Sequence, residues 1–379
     1  MEYLVDNRPT KRQVEAERPD RAASAYGSLS AWIARRALLV PVMIVVNVAV
    51  FFSTASSFSS SPDVEMLVDL GANYGPRTLD GQWWRLFTAT WLHGGLMHLA
   101  FNVWMLWQLG GLLERLLGKI EFTVVYLASG MFGCLISLWF HPDRVCVGAS
   151  GAIFGILGAL FAFLVHHSKS ISPESVSKLR NGGLIFLAYN TVLALFVDSI
   201  DLAGHLGGLM VGFATGLVVI PLTRKTLSIR LTGNLFAVVG IAVALFAAVH
   251  LMPSAPPDFF HEISRFRAVE QTCIEQYDSA AQRHMAREIS NRTFSQILDR
   301  DVLRPWCEAK ERVLVMSNGS GPQAQFMSKL TDYVDARYKS WKALSAGIRA
   351  GDKQKLARYQ KQWARAEQLA RELSHPGPE

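Results

Sequence analysis

The sequence predicts an all-α membrane protein: a bundle of seven membrane spans followed by a small helical domain outside the membrane. Three observations predict it. Half of the 379 residues are hydrophobic, the mean hydropathy is +0.19, and the apolar residues are gathered into runs. Lysine and arginine crowd alternate connections between those runs. After Pro253-Ser-Ala-Pro-Pro257 the composition turns polar and keeps a helical period.

Residues 1–36 are polar and carry both signs of charge, including Glu2, Asp6, Glu15, Glu17 and Asp20. A cleavable leader starts with a short basic region and an apolar core. This segment is too long and too acidic for one, so it reads as a disordered cytosolic tail ending at Arg35-Arg36. The first span covers about 37–53, with Pro41 and Asn47 inside it. The connection to the second span is half apolar and holds Trp83-Trp84-Arg85-Leu86-Phe87; aromatic-rich segments suit the headgroup zone. Further spans are expected at about 95–116, 120–140, 150–165, 183–197, 202–222 and 231–251. Residues 37–222 and 223–252 thus form a six-span core and a seventh span, and residues 253–379 a separate domain.

Orientation follows from the basic residues. With the N-terminus inside, the inner segments carry fifteen Lys/Arg and the outer ones three, namely Arg77, Arg85 and Arg144. The positive-inside rule then places the N-terminus in the cytosol and, after seven spans, the C-terminal domain on the far side. A bacterial inner membrane with a periplasmic C-terminal domain is the simplest setting. The net charge of +7 belongs with basic residues flanking spans rather than with nucleic acid.

The stretch Gly148-Ala149-Ser150-Gly151-Ala152-Ile153-Phe154-Gly155 heads the fourth apolar run, Ser150–Val165, which is sixteen residues long. A helix of that length extends ~24 Å, short of a ~30 Å hydrocarbon core. Ser150 therefore stands at a helix N-terminus sunk below the outer surface. In the same topology His205 lies one turn below Asp201, His98 enters span 2 from the same side, and Asn102 is one turn deeper on its face. Serine is a weak nucleophile until a base takes its proton. His205 is the candidate base. A histidine in an apolar helix is more often a satisfied core residue, but Gly204, Gly208 and Gly212 repeat at every fourth position around it. Such spacing admits close approach of a neighbouring helix; Gly151, Gly155 and Gly158 offer the complement. Generic helix packing explains the same pattern without catalysis.

Acyl transfer also needs donors for an oxyanion. The free N–H groups at the head of span 4, including that of Ser150, and the side chains of His98 and Asn102 can supply them. The bland role for His98 and Asn102 is an interhelical hydrogen bond. No third acid is evident, since Asp198 and Asp201 fall at the surface, so the residues support a Ser–His dyad. There is no GxGxxG, Walker loop, HExxH or CxxC, hence no expectation of a metal or cofactor.

Taken together these motifs resemble the rhomboid intramembrane serine proteases over roughly residues 38–221. Trp84-Arg85 resembles the family's WR motif, His98 and Asn102 its HxxxN, and Gly111 to Glu114-Arg115 its glycine-to-glutamate stretch. Gly148-Ala-Ser150-Gly151 resembles GxSG, and His205 with Gly208 and Gly212 resembles HxxGxxxG. The resemblance implies a rhomboid-like six-helix transmembrane bundle with Ser150 as nucleophile and His205 as general base. It implies an oxyanion site from the Ser150 N–H, His98 and Asn102, with Gly148 beside it. It implies a loop at Trp84-Arg85 that braces the bundle near the outer leaflet. Substrates would be single-span or other membrane proteins, cut near the outer face, with no cofactor. A seventh span is a variant of that architecture. Two positions depart from the family: Gly204 replaces a common alanine, which should be tolerated, and Phe154 replaces a tyrosine that stacks on the histidine in several relatives.

A non-proteolytic rhomboid-like adaptor is the alternative, though such proteins usually lack the serine or histidine kept here. A transporter would not require these motifs together. In the C-terminal domain Leu356, Tyr359, Trp363, Ala366, Ala370 and Leu373 share one helical face, and residues 319–322 mark a loop. Cys273 and Cys307 allow two readings: a disulfide in an oxidising compartment, or two free buried thiols.

Overall fold

A computed structural model of the chain describes residues 36–54, 63–197, 199–316 and 324–374. The proposed tail, Asp198 and the loop at 319–322 lie outside the described residues, apart from Arg36. Two compact units divide at Pro256/Pro257. Both are helical. The extended pairing found among the described residues is a single bridge between Asn73 and Cys146.

In the first unit, α1 spans Leu39–Thr54, α2 Leu96–Leu117, α3 Lys119–Phe140, α4 Ser150–His167, α5 Pro173–Ala194, α6 Leu202–Val219 and α7 Leu227–His250. Four of these (α2, α3, α6 and α7) and the stretch Ser150–Ser170 are long and apolar enough to cross a bilayer. Helix α1 is apolar but has only 16 residues. Helix α4 is the hub. Its Ile153, Ile156, Leu160 and Phe163 are buried among residues of α1, α2, α3 and α6. Around this centre, the outer faces stay apolar; on α7, Leu235, Phe236, Val243 and Phe246 are exposed, as lipid-facing side chains are. The molecule is thus an integral, multi-pass all-α membrane protein.

Helix α5 starts ten residues before the apolar run that marks it in the sequence. Ser172 caps it by accepting from the Ser175 N–H, and Pro173 and Glu174 occupy its first turn. Those are strong helix-start signals, but the following polar half conceals the helix from hydropathy. Helix α2 is also not uniform. It contains a π-helical turn at Leu106–Gly110, where Gly110 faces Val40 of α1 and Ile156 of α4.

Two buried glutamates tie one end of this unit. The Glu114 carboxylate accepts the N–H groups of Leu38, Leu39 and Val40 at 2.8, 2.9 and 3.0 Å, capping α1 from α2. Helix N-termini leave such donors unpaired, and a carboxylate also suits the positive dipole end. Glu121 opens α3, is wholly buried, and pairs with Arg230 of α7 at 2.7 Å while accepting from Asn234 at 3.0 Å.

In the second unit α8 spans Phe259–Met285. A helical segment follows in three parts, Asn291–Ile297, a π turn at Leu298–Leu303, and Arg304–Met316. Helices α9 (Ala324–Ala350) and α10 (Lys353–Ser374) then form an antiparallel pair joined at Gly351. Trp306 and Trp341 pack edge to face at its centre. Ala366 is in the core, and Leu356, Tyr359, Trp363, Ala370 and Leu373 pack against it. The disulfide reading for Cys273 and Cys307 is not realised: both thiols are free. Cys273 is buried, and its thiol donates to the Val302 carbonyl of the π turn.

Candidate active site

Ser150 is the first residue of α4. The chain reaches it through Gly148, at φ +120°, a left-handed conformation that glycine adopts without strain. The Gly148 N–H donates to the Ala89 carbonyl at 2.9 Å. A β-carbon on Gly148 would lie 2.8 Å from His98 Nε2 and 3.8 Å from Ser150 Oγ. Glycine at this position therefore keeps open a space onto which the serine hydroxyl and the His98 ring both converge. The Gly94 N–H donates to His98 Nδ1 at 3.4 Å, which favours the tautomer with hydrogen on Nε2, the nitrogen facing that space.

The approach of α6 to α4 follows from the glycines. A β-carbon on Gly208 would fall 2.0 Å from the Gly151 carbonyl oxygen, and one on Gly212 2.1 Å from that of Gly155. Gly133 of α3 completes the contact, lying against the Gly204 carbonyl and Gly151 Cα. Backbone against backbone leaves no room for side chains there. His205 is consequently held beside the head of α4, buried to 9 % exposure. Its ring stacks on Phe154 with centroids 4.3 Å apart and planes 11° from parallel.

No hydrogen bond joins Ser150 to His205 among the described residues, and His205 Nδ1 has no partner. Free enzymes often hold such contacts long until substrate arrives. The hydrogen bonds of Asp201 are directed away from the imidazole. Its Oδ1 accepts the Gly204 N–H at 2.9 Å, capping α6, and its Oδ2 accepts from the Cys146 thiol at 3.3 Å. Gly204 makes the cap possible, because a β-carbon there would lie 2.3 Å from Asp201 Oδ2. The glycine that replaces the family's common alanine is thus matched to this capping carboxylate, and an alanine would require the carboxylate to move.

The remaining motif residues are placed apart from this cluster. The Asn102 amide nitrogen donates to the His98 carbonyl of its own helix at 2.8 Å, so in this state it is not directed at Ser150. Arg85 is buried and serves its own loop: it donates to the Val68 and Ala72 carbonyls and to Gln82, with its guanidinium over the half-exposed Trp84 ring at 4.7 Å. Glu114 caps α1, as described. One residue went unmarked by any sequence motif. His93 is 1 % exposed and lies 5.2 Å ring to ring from His98. Its position five residues before His98 was visible, but spacing alone assigns it no task.

A serine hydroxyl at a helix head, an imidazole braced by an aromatic ring, and an Nε2–H donor across a glycine-lined gap suit nucleophilic attack on a carbonyl. Comparison with known proteins points the same way. A family model described as the Rhomboid domain matches residues 80–222. The chain is 39% identical over 153 residues to "Rhomboid protease GluP" of Bacillus subtilis, covering 40% of this chain and 29% of that protein. It is 36% identical over 164 residues to "Rhomboid-like protease 1" of Toxoplasma gondii, covering 41% and 54%. It is 36% identical over 146 residues to "Putative rhomboid protease YdcA" of Bacillus subtilis, covering 38% and 71%. The chain thus spans less than two thirds of the length of the first two relatives.

Proposed function

This chain belongs to the rhomboid family, and from that premise we propose that it is an intramembrane serine endopeptidase acting on membrane proteins. The observation that carries the proposal is the convergence of α4 and α6. The contact of Gly208 with Gly151, next to Ser150, and the stacking of His205 on Phe154 of the same helix support pairing Ser150 with His205.

In this reading the Ser150 hydroxyl attacks the substrate carbonyl as His205 takes its proton. The tetrahedral oxyanion is met by the Ser150 N–H and by His98 Nε2–H. Asn102 joins them once its amide leaves the His98 carbonyl. His205 then gives its proton to the departing amine, and a water activated by the same imidazole releases the acyl group. The oxyanion is stabilised because the donors are fixed before charge develops. Residues 37–222 form the catalytic core, with α7 an added span and residues 253–379 a separate domain. The charge asymmetry supports a cytosolic N-terminus and a C-terminal domain on the far side, in a bacterial inner membrane, with cleavage near the outer face.

The test is cleavage of a single-span substrate by the reconstituted full chain. Ser150→Ala and His205→Ala should each abolish cleavage while leaving the thermal unfolding of the bundle unchanged. Cleavage by Ser150→Ala at the wild-type rate would overturn the mechanism. Binding of membrane proteins without cleavage by the wild-type chain would favour a non-proteolytic adaptor instead.

A further inference from the structure

Four residues before Ser150, the chain passes Cys146, which is half-buried. Its backbone pairs with Asn73 in both directions, Asn73 N–H to Cys146 O at 3.1 Å and Cys146 N–H to Asn73 O at 2.9 Å. The Asn73 side chain, wholly buried, donates to the Cys134 carbonyl of α3 at 2.9 Å. Asn73 therefore holds the backbones of both cysteines. The two thiols are in hydrogen-bonding contact. Cys134 lies in the apolar cluster with Leu86, Leu135 and Leu138, and Cys146 packs against that cluster. Both are free thiols in this structure.

We propose that Cys134 and Cys146 are a reversible disulfide pair that locks the loop leading to Ser150 onto helix α3. The pair lies next to Asp201 at the head of α6. Under the orientation proposed above that end faces the non-cytosolic side, where disulfides persist; the chemistry of the pair itself does not depend on the protease reading.

The step needs a disulfide oxidant. Cys146, the more accessible thiol, loses its proton and attacks one sulfur of the oxidant, whose other sulfur leaves as a thiolate. Cys134 loses its proton and attacks Cys146 Sγ, releasing the oxidant's remaining sulfur as a thiolate. The two cysteines are oxidised by two electrons, and the oxidant, taking up both protons, ends as two thiols. The neighbouring Cys134, burial and the Asp201 carboxylate all hold the Cys146 thiol protonated, so the first attack is slow. The lock therefore closes during assembly or under sustained oxidation rather than as a fast sensor. Closure also removes the thiol hydrogen that Cys146 gives to Asp201, leaving that carboxylate to cap α6 alone.

The experiment exposes the purified full chain to oxidised glutathione, alkylates remaining thiols under denaturing conditions, and maps peptides by mass spectrometry. A Cys134–Cys146 linked peptide, lighter by two hydrogens than its parts, is expected. The cross-link closes a short loop, so the midpoint of thermal unfolding should rise by roughly 5 °C and return on reduction. Neither Cys134→Ala nor the more accessible Cys146→Ala should show the rise. Full alkylation of both cysteines, a stable glutathione adduct on Cys146, or a linked peptide without a thermal shift would each overturn the proposal. All three readouts are independent of cleavage activity, so their failure is distinct from failure of the protease reading.

Discussion

Phe154 lies flat against His205, with ring centroids 4.3 Å apart and planes 11° from parallel. The two residues come from different helices, α4 and α6, and Phe154 sits one turn below Ser150. With Asp201 occupied in capping α6, stacking is what orients the imidazole. A phenylalanine keeps that surface without contributing a hydroxyl.

Under the proposed mechanism, in which His205 is the general base, Phe154→Leu should lower kcat about tenfold, the loss expected when such a base loses its fixed geometry. Phe154→Tyr should retain most activity, since the stacking face is unchanged. Both effects are read as steady-state cleavage of a single-span substrate, with KM little altered because the ring orients the base rather than binding substrate.

The glycine contacts predict a sharp positional contrast in stability. A methyl group at Gly212 would sit 2.1 Å from the Gly155 carbonyl oxygen, whereas one at Gly240 of α7 meets nothing within 4 Å. Gly212→Ala should cost about 1–3 kcal/mol through forced separation of α4 and α6. Gly240→Ala should be neutral or stabilising by up to about 1 kcal/mol, the helix-propensity difference. Thermal unfolding of the purified variants distinguishes them.

Much of this arrangement was legible in the sequence, and the illegible parts share a cause. The four-residue repeat of Gly204, Gly208 and Gly212 announced a close helix contact because small-residue spacing is a local property. The placement of Ser150 at a helix head was readable for the same reason. By contrast, the partners of Glu114 are three backbone N–H groups more than seventy residues away, and backbone donors leave no mark in a sequence. Arg85 likewise serves carbonyls of its own loop, so the Trp84-Arg85 motif was visible while its partners were not. Hydropathy hides the polar first half of helix α5, although Ser172-Pro173-Glu174 spells a helix start. Cys134 and Cys146 are brought together through Asn73 of a third segment, a relation that their sequence spacing does not show.

In the C-terminal domain, Asp335 bonds Lys310 at 2.5 Å and Lys339 at 2.6 Å. Burial pushes its carboxyl upward, but the two ammonium groups outweigh that and hold it below the ordinary value of 3.8. A carboxyl depressed in the folded state contributes stability above its unfolded pKa and loses it as pH falls through the folded one. Opening of α9 should therefore increase as pH drops below about 4. The half-exposed cluster limits the effect to roughly 0.5 kcal/mol. Asp335→Asn should remove this acid-dependent component, read by hydrogen exchange of the Ala324–Ala350 amides across pH.

Glu121 of α3 and Arg230 of α7 form a charge pair in the membrane unit. Glu121 has no exposed side-chain surface, Arg230 is 25 % exposed, and their charged atoms are 2.7 Å apart. This pair, with Asn234 donating to the same carboxylate at 3.0 Å, fastens α7 to α3. Arg230→Met leaves a buried carboxylate with a single neutral donor, and removing one partner of a buried pair costs about 3–5 kcal/mol. Glu121→Gln keeps the shape and the contact with Asn234 and leaves unpaired only the guanidinium of Arg230, which is 25 % exposed, so it should cost less. The double variant Glu121→Leu/Arg230→Met should recover most of the loss, because two apolar side chains replace the pair without an unpaired ion. Comparing the three by thermal unfolding separates a stabilising attraction from a stranded charge. Equal losses in Arg230→Met and the double variant would show that α7 is held by the ion pair itself.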